Sequence, residues 1–246
     1  MKFLLKGYVL LIFLVAFTVL SLFVGVSQIS ITDIFHLNSD QLNIILSSRI
    51  PRTVSILISG STLGIAGLIM QQMMQNKFVS PTTAGTMEWA KLGILLSLIF
   101  FPKGHILIKL IFAVICSVVG TYFFVKLVQL IKVKDVIFIP LLGIMLGGIV
   151  SSFTTFIALR TNAVQSIGNW LNGNFAIITS GRYEVLYLSI PFLIITYIFA
   201  NHFTIAGMGK DFSHNLGVNY EKIINIALFI TATITALVVV TVGTLP

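Results

Sequence analysis

An all-α, multi-spanning membrane protein is the fold class this sequence predicts, and three observations predict it. The 246-residue chain is 57% hydrophobic and only 9% charged, against about a quarter charged in soluble domains. The run Thr53–Asn76 holds 24 residues without a charge, and each charge at mid-bilayer costs roughly 2.5–3.5 kcal/mol on insertion scales. Comparable apolar runs fill nearly the whole chain. The sequence therefore predicts one transmembrane domain over residues 1–246, with no soluble domain beside it.

Seven spans are expected, near residues 7–27, 53–75, 84–101, 107–128, 136–159, 185–206 and 223–243. The first is preceded by Lys2 and Lys6, like a signal peptide. However, it stays free of charge from Gly7 to Thr32 and has no A-x-A site, which suits a retained helix better. The second is bracketed by Arg49-Ile50-Pro51-Arg52 before it and Asn76-Lys77-Phe78-Val79-Ser80-Pro81 after it. The third contains Glu88 and Lys91. If Ser80 caps this helix and Pro81 opens it, both charges lie in the first turns, near the interface, and their spacing of three lets them pair.

Placing Lys2 and Lys6 in the cytoplasm puts nine Lys residues inside and six Lys or Arg residues outside, in line with the positive-inside rule. The outside loop 28–52 then carries Arg49 and Arg52. The outside loop 160–184 carries Trp170-Leu171-Asn172-Gly173, readable as a short helix lying on the membrane with Trp170 at headgroup level. The inside loop 207–222 predicts a short helix capped by Asp211 and ended by Gly217, a compact knob suited to contact with another protein.

Small and polar residues give further candidates. Gly60, Gly64 and Gly67 form a stripe, and Gly143 and Gly147 repeat its spacing; close helix packing explains both. Gly148, Ser151, Ser152 and Thr155 share one face of the fifth span. That face either lines a polar translocation path or bonds back to its own helix carbonyls. Arg49 and Arg52, stiffened by Pro51, either snorkel to the interface or offer guanidinium groups to a partner's carboxylates.

Several function classes are excluded. The 15 Lys and Arg residues behind the net charge of +8 form no basic stripe, so no nucleic-acid partner is expected; membrane lipid is the partner that their scatter suits. Isolated histidines and the single Cys116 offer no metal site. Gly207-Met208-Gly209-Lys210-Asp211 fails as a phosphate loop because Asp stands where Ser or Thr is required. Neither a cofactor nor ATP hydrolysis by this chain itself is expected, and no set of residues suits an intramembrane enzyme. An ion-coupled secondary transporter remains the alternative, with Glu88 the only acid near a span interior.

The Arg-Ile-Pro-Arg bracket, the Gly60–Gln71 run, Asn76 to Pro81 and Gly85 together resemble the FecCD-type permeases of ABC importers, which carry iron-siderophores, haem or vitamin B12. The family's Asn-Pro-Leu-Ala-x-Pro is altered here, with Lys77 replacing its first Pro and Ser80 its Ala. Trp170 to Gly173 resembles the family's Trp-Leu-x-Gly, and Gly209 to Val218 its cytoplasmic coupling segment. Thr86 to Gly93 is similar to the branch associated with catecholate siderophores such as enterobactin or petrobactin.

The resemblance implies a ten-helix fold, so three further helices are expected after Pro246. It also implies a second permease subunit, identical or different, and cytoplasmic ATP-binding subunits acting on Gly209, Asp211, Leu216 and Gly217. An extracytoplasmic siderophore-binding (lipo)protein would dock on Arg49 and Arg52, and a ferric siderophore would be the cargo.

Overall fold

The computed structural model describes residues 7–23, 39–130, 137–165, 168 and 172–245. Every described element is helical, and the described residues form two compact units. The first takes its residues from 1–57 and 175–184, the second from 58–174 and 185–246. The boundary falls inside one long helix.

In the first unit, α1 (Gly7–Phe23) is apolar on all sides. A second helical stretch begins at α2 (Ser39–Ile44), widens into a π-turn over Ile45–Arg49, and continues as α3 (Ile50–Met74). The sequence placed residues 39–52 in a loop, but they are helical. Pro51 ought to break such a helix, because it gives no N–H to the Ser47 carbonyl four residues back. The π-turn absorbs the defect: Ile50 N–H bonds to the Ile45 carbonyl. The Ser180 N–H then takes the Ser47 carbonyl at 3.1 Å.

α3 ends at a glycine-free stop. Gln75 takes the left-handed conformation (φ 50°), with Gln75 N–H on the Gln72 carbonyl and Asn76 N–H on Gln71. This is a Schellman closure without the usual glycine.

The second unit comprises the rest of α3, then α4 (Thr86–Phe100), α5 (Ile106–Leu130) and α6 (Phe138–Arg160). A 3₁₀ turn (Tyr183–Leu188) leads into α7 (Ser189–Ile198) and α8 (Ala200–Gly207), which meet at a 61° bend. The short α9 (Lys210–Asn215) and α10 (Tyr220–Thr241) follow. Four described helices are long and apolar enough to cross a membrane, five if the bent pair counts as one span, and α1 is a shorter apolar helix.

In their described residues all seven expected segments are mainly helical, but the third departs from its predicted form. Ser80 and Pro81 open only a single turn, which Gly85 (φ 74°) stops, and α4 begins at Thr86. At 15 residues α4 reaches only about 22 Å, less than the roughly 30 Å hydrocarbon core.

α10 is the centre of the second unit and is buried along nearly its whole length. It packs on α4 and α5 and touches α7, α8 and α9, while α4 also packs on α6. One core cluster joins Met70 and Met73 of α3 to Phe124 of α5, Phe203 of α8 and Leu228 and Ile234 of α10. The other joins Ile94 and Leu95 of α4 to Ala113 of α5, Ala158 of α6 and Val239 and Val240 of α10.

Between helices in lipid the hydrophobic effect supplies little, so close packing of small residues must hold them. α4 and α5 meet in this way. Gly93 lies against the Phe112–Ala113 backbone, and Trp89 lies flat over Gly120.

Gly93→Ala should therefore force α4 and α5 apart and destabilise the protein by about 1–3 kcal/mol. Gly60→Ala, whose new methyl meets nothing within 4 Å, should leave stability unchanged or raised. Thermal unfolding midpoints of the two variants in detergent check the contrast.

Candidate functional site

The two arginines of the Arg-Ile-Pro-Arg bracket have different fates. Arg49 is 7% exposed. Its Nη1 donates to the Leu22 and Phe23 carbonyls at 2.6 and 2.9 Å. These are the last described carbonyls of α1, and the charge-assisted bonds tie that helix to the start of the second helical stretch. Arg49, expected at a docking surface, is here buried against α1. Arg52 is exposed and has no ion-pair partner among the described residues, so it keeps the role proposed for it.

The knob of residues 207–222 is built as expected, with one change. Gly209 (φ 111°) is the residue before α9, and Asp211 stands exposed in the first turn instead of capping it. A carboxylate in that turn still suits the positive helix end. Gly217 (φ 70°) closes the helix in a Schellman motif, with Gly217 N–H on the His214 carbonyl and Val218 N–H on that of Ser213. Ser213, fully buried, donates to the Gly209 carbonyl at 2.8 Å within the first turn and reaches the Ile205 carbonyl of α8 at 3.3 Å. Asn219 then caps α10, its Oδ1 accepting from Lys222 N–H at 3.0 Å. Phe212 and Leu216 are 57% and 58% exposed, two apolar side chains among the exposed Lys210, Asp211, His214 and Asn215.

On α6 the candidate path residues share one exposed side. Gly148 faces open space, Ser152 and Thr155 are exposed, and Ser151 is half-buried. Ser152 donates to the Gly148 carbonyl and Thr155 to the Ser151 carbonyl, both at 2.9 Å. Their hydroxyls are thus satisfied within the helix while their face stays open. Gly143 and Gly147 do mark a packed side, where α6 meets the turn before α4 together with side chains of α4 and α5. A Cβ on Gly147 would touch Gly85 Cα and the Glu88 side chain at 3.3 and 3.5 Å. Gly60, Gly64 and Gly67 meet nothing within 4 Å.

That packing fixes the depth of α4. Gly147 lies midway along the 23 residues of α6, so Gly85 and Glu88 lie beside the middle of that helix. Glu88 and Lys91 pair at 2.6 Å, as the spacing predicted. They do lie in the first turns of their helix, but it starts at Thr86, later than the expected opening at Pro81. Sequence reasoning considered Glu88 for the ion-coupled alternative and gave Lys91 no role. The signal available was a Glu and a Lys in a stretch otherwise apolar through Phe101.

Trp170 and Leu171 lie outside the described residues. Asn172 and Gly173 are not helical; Gly173 N–H bonds to the Thr244 carbonyl at 2.7 Å.

Comparison with known proteins agrees with this geometry. The model of the FecCD transport family matches residues 12–246. The chain belongs to the FecCD transport family. It is 50% identical, over 96% of its length and 75% of the relative's, to the petrobactin import system permease protein YclN of Bacillus subtilis. It is 34% identical to the ferric-anguibactin transport system permease protein FatD of Vibrio anguillarum, over 91% of this chain and 71% of that one. A metal-chelate type ABC transporter solved in an inward-facing conformation superposes with a TM-score of 0.79 at 21% identity, covering 97% of this chain and 76% of that one. This FecCD chain is thus a multi-pass transport protein of the cytoplasmic membrane, with the helical fold of ABC importer permeases.

Within this FecCD chain the two arginines should separate cleanly. Arg49→Ala leaves the Leu22 and Phe23 carbonyls without their charged donor and should cost about 1.5–3 kcal/mol of stability. Arg52→Ala should stay within about 0.5 kcal/mol of the parent, as exposed substitutions do. Unfolding curves of both variants in detergent decide it.

Proposed function

We propose that this chain is the membrane-spanning subunit through which an ABC importer passes a ferric siderophore, of the catecholate class that includes petrobactin, into the cytoplasm. The observation that carries the reading is the knob around α9, a hydrogen-bonded element that exposes Phe212 and Leu216 among polar side chains. That is what a subunit needs in order to be moved by an ATPase it does not itself contain. The petrobactin and anguibactin permeases among its relatives supply the cargo class.

Each part then has a task. Two permease subunits, alike or different, form the route between them, with Gly148, Ser151, Ser152 and Thr155 of α6 on the lining. Their self-satisfied hydroxyls offer a smooth polar surface without a binding trap. A siderophore-binding (lipo)protein docks outside on Arg52, whose planar guanidinium suits bidentate pairing with a carboxylate. Cytoplasmic ATP-binding subunits engage Phe212 and Leu216, with Gly209, Asp211 and Gly217 holding the shape of the knob. ATP can drive transport only by favouring one facing state of the permease through differential binding.

Deletion of the gene should abolish uptake of iron-labelled petrobactin-class chelate by whole cells. Restoring it at the native locus should recover uptake, and the recovered uptake should persist in protonophore while cellular ATP is held. Collapse with the proton gradient would instead identify an ion-coupled carrier. Leu216→Asp should lower uptake roughly tenfold or more, as loss of an apolar contact at the heart of an interface does. Arg52→Glu should weaken docking of the binding protein by a similar factor through like-charge repulsion. Membrane levels of both variants should equal the parent's.

A further inference from the structure

The ion pair at the start of α4 stands in an open recess. Glu88 and Lys91 line it together with Thr82, Asn172, Gly173 and Thr244, and its volume is about 530 Å³. That is within the range of ligand pockets and far beyond the space of a single water. The packing of Gly147 against Glu88 sets this wall of the recess beside the middle of α6, a helix long and apolar enough to span a membrane. Ionisable groups among such helices are costly, and where they occur they mark substrate or ion routes.

A purely structural role explains the pair poorly. Well-packed apolar side chains replace a buried ion pair without loss, and often with a gain. Moreover, the Lys91 ammonium is incompletely satisfied. The side chain is nine-tenths buried, while Glu88 is 24% exposed, and Glu88 is its one partner among the described residues. An ammonium has three donors and no acceptor. Glu88 Oε2 stands 2.6 Å away as an ion pair without hydrogen-bond geometry, so the ammonium's donors are left facing a recess whose other walls carry only uncharged groups. Such a group calls for oxygen acceptors from a ligand.

We propose that this recess is a cargo contact, in which Lys91 binds carboxylate or catecholate oxygens of the passing chelate and Glu88 is the counter-ion that competes with them. The proposal rests on the permease reading above. Its chemistry follows from the need to bind without trapping. A lone lysine in a low-dielectric site would hold an anionic chelate tightly, whereas conduction requires a contact weak enough to leave. Glu88, 2.6 Å away, takes Lys91 back as the cargo moves on.

The test places Lys91→Met, Lys91→Arg, Glu88→Gln and the exchange Glu88→Lys/Lys91→Glu at the native locus. Uptake of iron-labelled chelate, membrane level and binding-protein-stimulated ATPase activity are then read. Lys91→Met should lower uptake at least tenfold, and Lys91→Arg, which keeps the charge, should retain a third or more. Glu88→Gln should lower both the half-saturating chelate concentration and the maximal rate, because cargo is then held longer.

The exchange variant decides between contact and scaffold. It restores an ion pair, so membrane level and stimulated ATPase activity should return to the parent's while uptake stays low. Uptake restored by the exchange, or Lys91→Met importing at the parent's rate, would overturn the proposal. The gene-deletion strain reads the permease assignment separately: deletion without loss of uptake defeats that assignment, whatever the point variants show.

Discussion

A bilayer contains no water to bond to a broken helix, so backbone that leaves helical form at membrane depth must be satisfied by the protein around it. The segment between α3 and α4 meets that constraint, and much of the second unit is arranged to let it do so. Asn76 Oδ1 accepts from Phe78 N–H at 2.9 Å, and Thr83 Oγ1 from Ser80 N–H at 2.8 Å. Ala84 and Thr86 N–H groups take the Ser80 and Pro81 carbonyls. Gly85, in the left-handed region, turns the chain into α4 against the bare backbone of Gly143 and Gly147. The hydroxyl-rich Ser80-Pro81-Thr82-Thr83 run thus replaces the water that a surface loop would use. Because α4 starts beside the middle of α6, the ion pair in its first turns stands alongside that helix instead of at its end.

The helical character and order of the segments were legible in the sequence because the bilayer imposes a length and a charge rule on every span; the number was not, since four or five described helices meet the length rule where seven spans were expected. The beginning of α3 was not. Pro51 reads as a helix boundary, and only the π-turn and the distant Ser180 N–H make it compatible with a continuous helix. Gly143 and Gly147 announced a close approach by their spacing, but spacing does not name the neighbour. Gly93 and Gly120, which allow the tightest helix pair, lie 27 residues apart and gave no pattern to find.

Among the candidate site residues, the knob was the most legible, since Gly209 and Gly217 mark its ends by a conformation glycine favours. The arginine pair was the least. Two cations one turn apart look alike in sequence, yet the Leu22 and Phe23 carbonyls take one of them. The path residues of α6 lie between these extremes. Their shared side follows from helical spacing, whereas the closure of Ser152 and Thr155 onto their own helix needed coordinates to establish.

The arrangement around α9 bears on how motion could pass through the molecule. A six-residue helix is too short to be stable alone, so a push on it would ordinarily unfold it before moving anything else. Here the buried Ser213 hydroxyl ties α9 to the Ile205 carbonyl of α8, and the Schellman closure leads through Val218, packed on the core, into the Asn219 cap of α10. No flexible linker separates the knob from the helix that follows. α10 in turn is buried along most of its length and packs on α4 and α5, and close-packed interiors transmit displacement because they have little room to absorb it. Force applied to Phe212 or Leu216 therefore reaches the helix on which Glu88 and Lys91 stand. The Lys210–Glu221 pair that spans the same junction is exposed at both ends and adds little to its stiffness; the junction is held by the buried serine and the backbone.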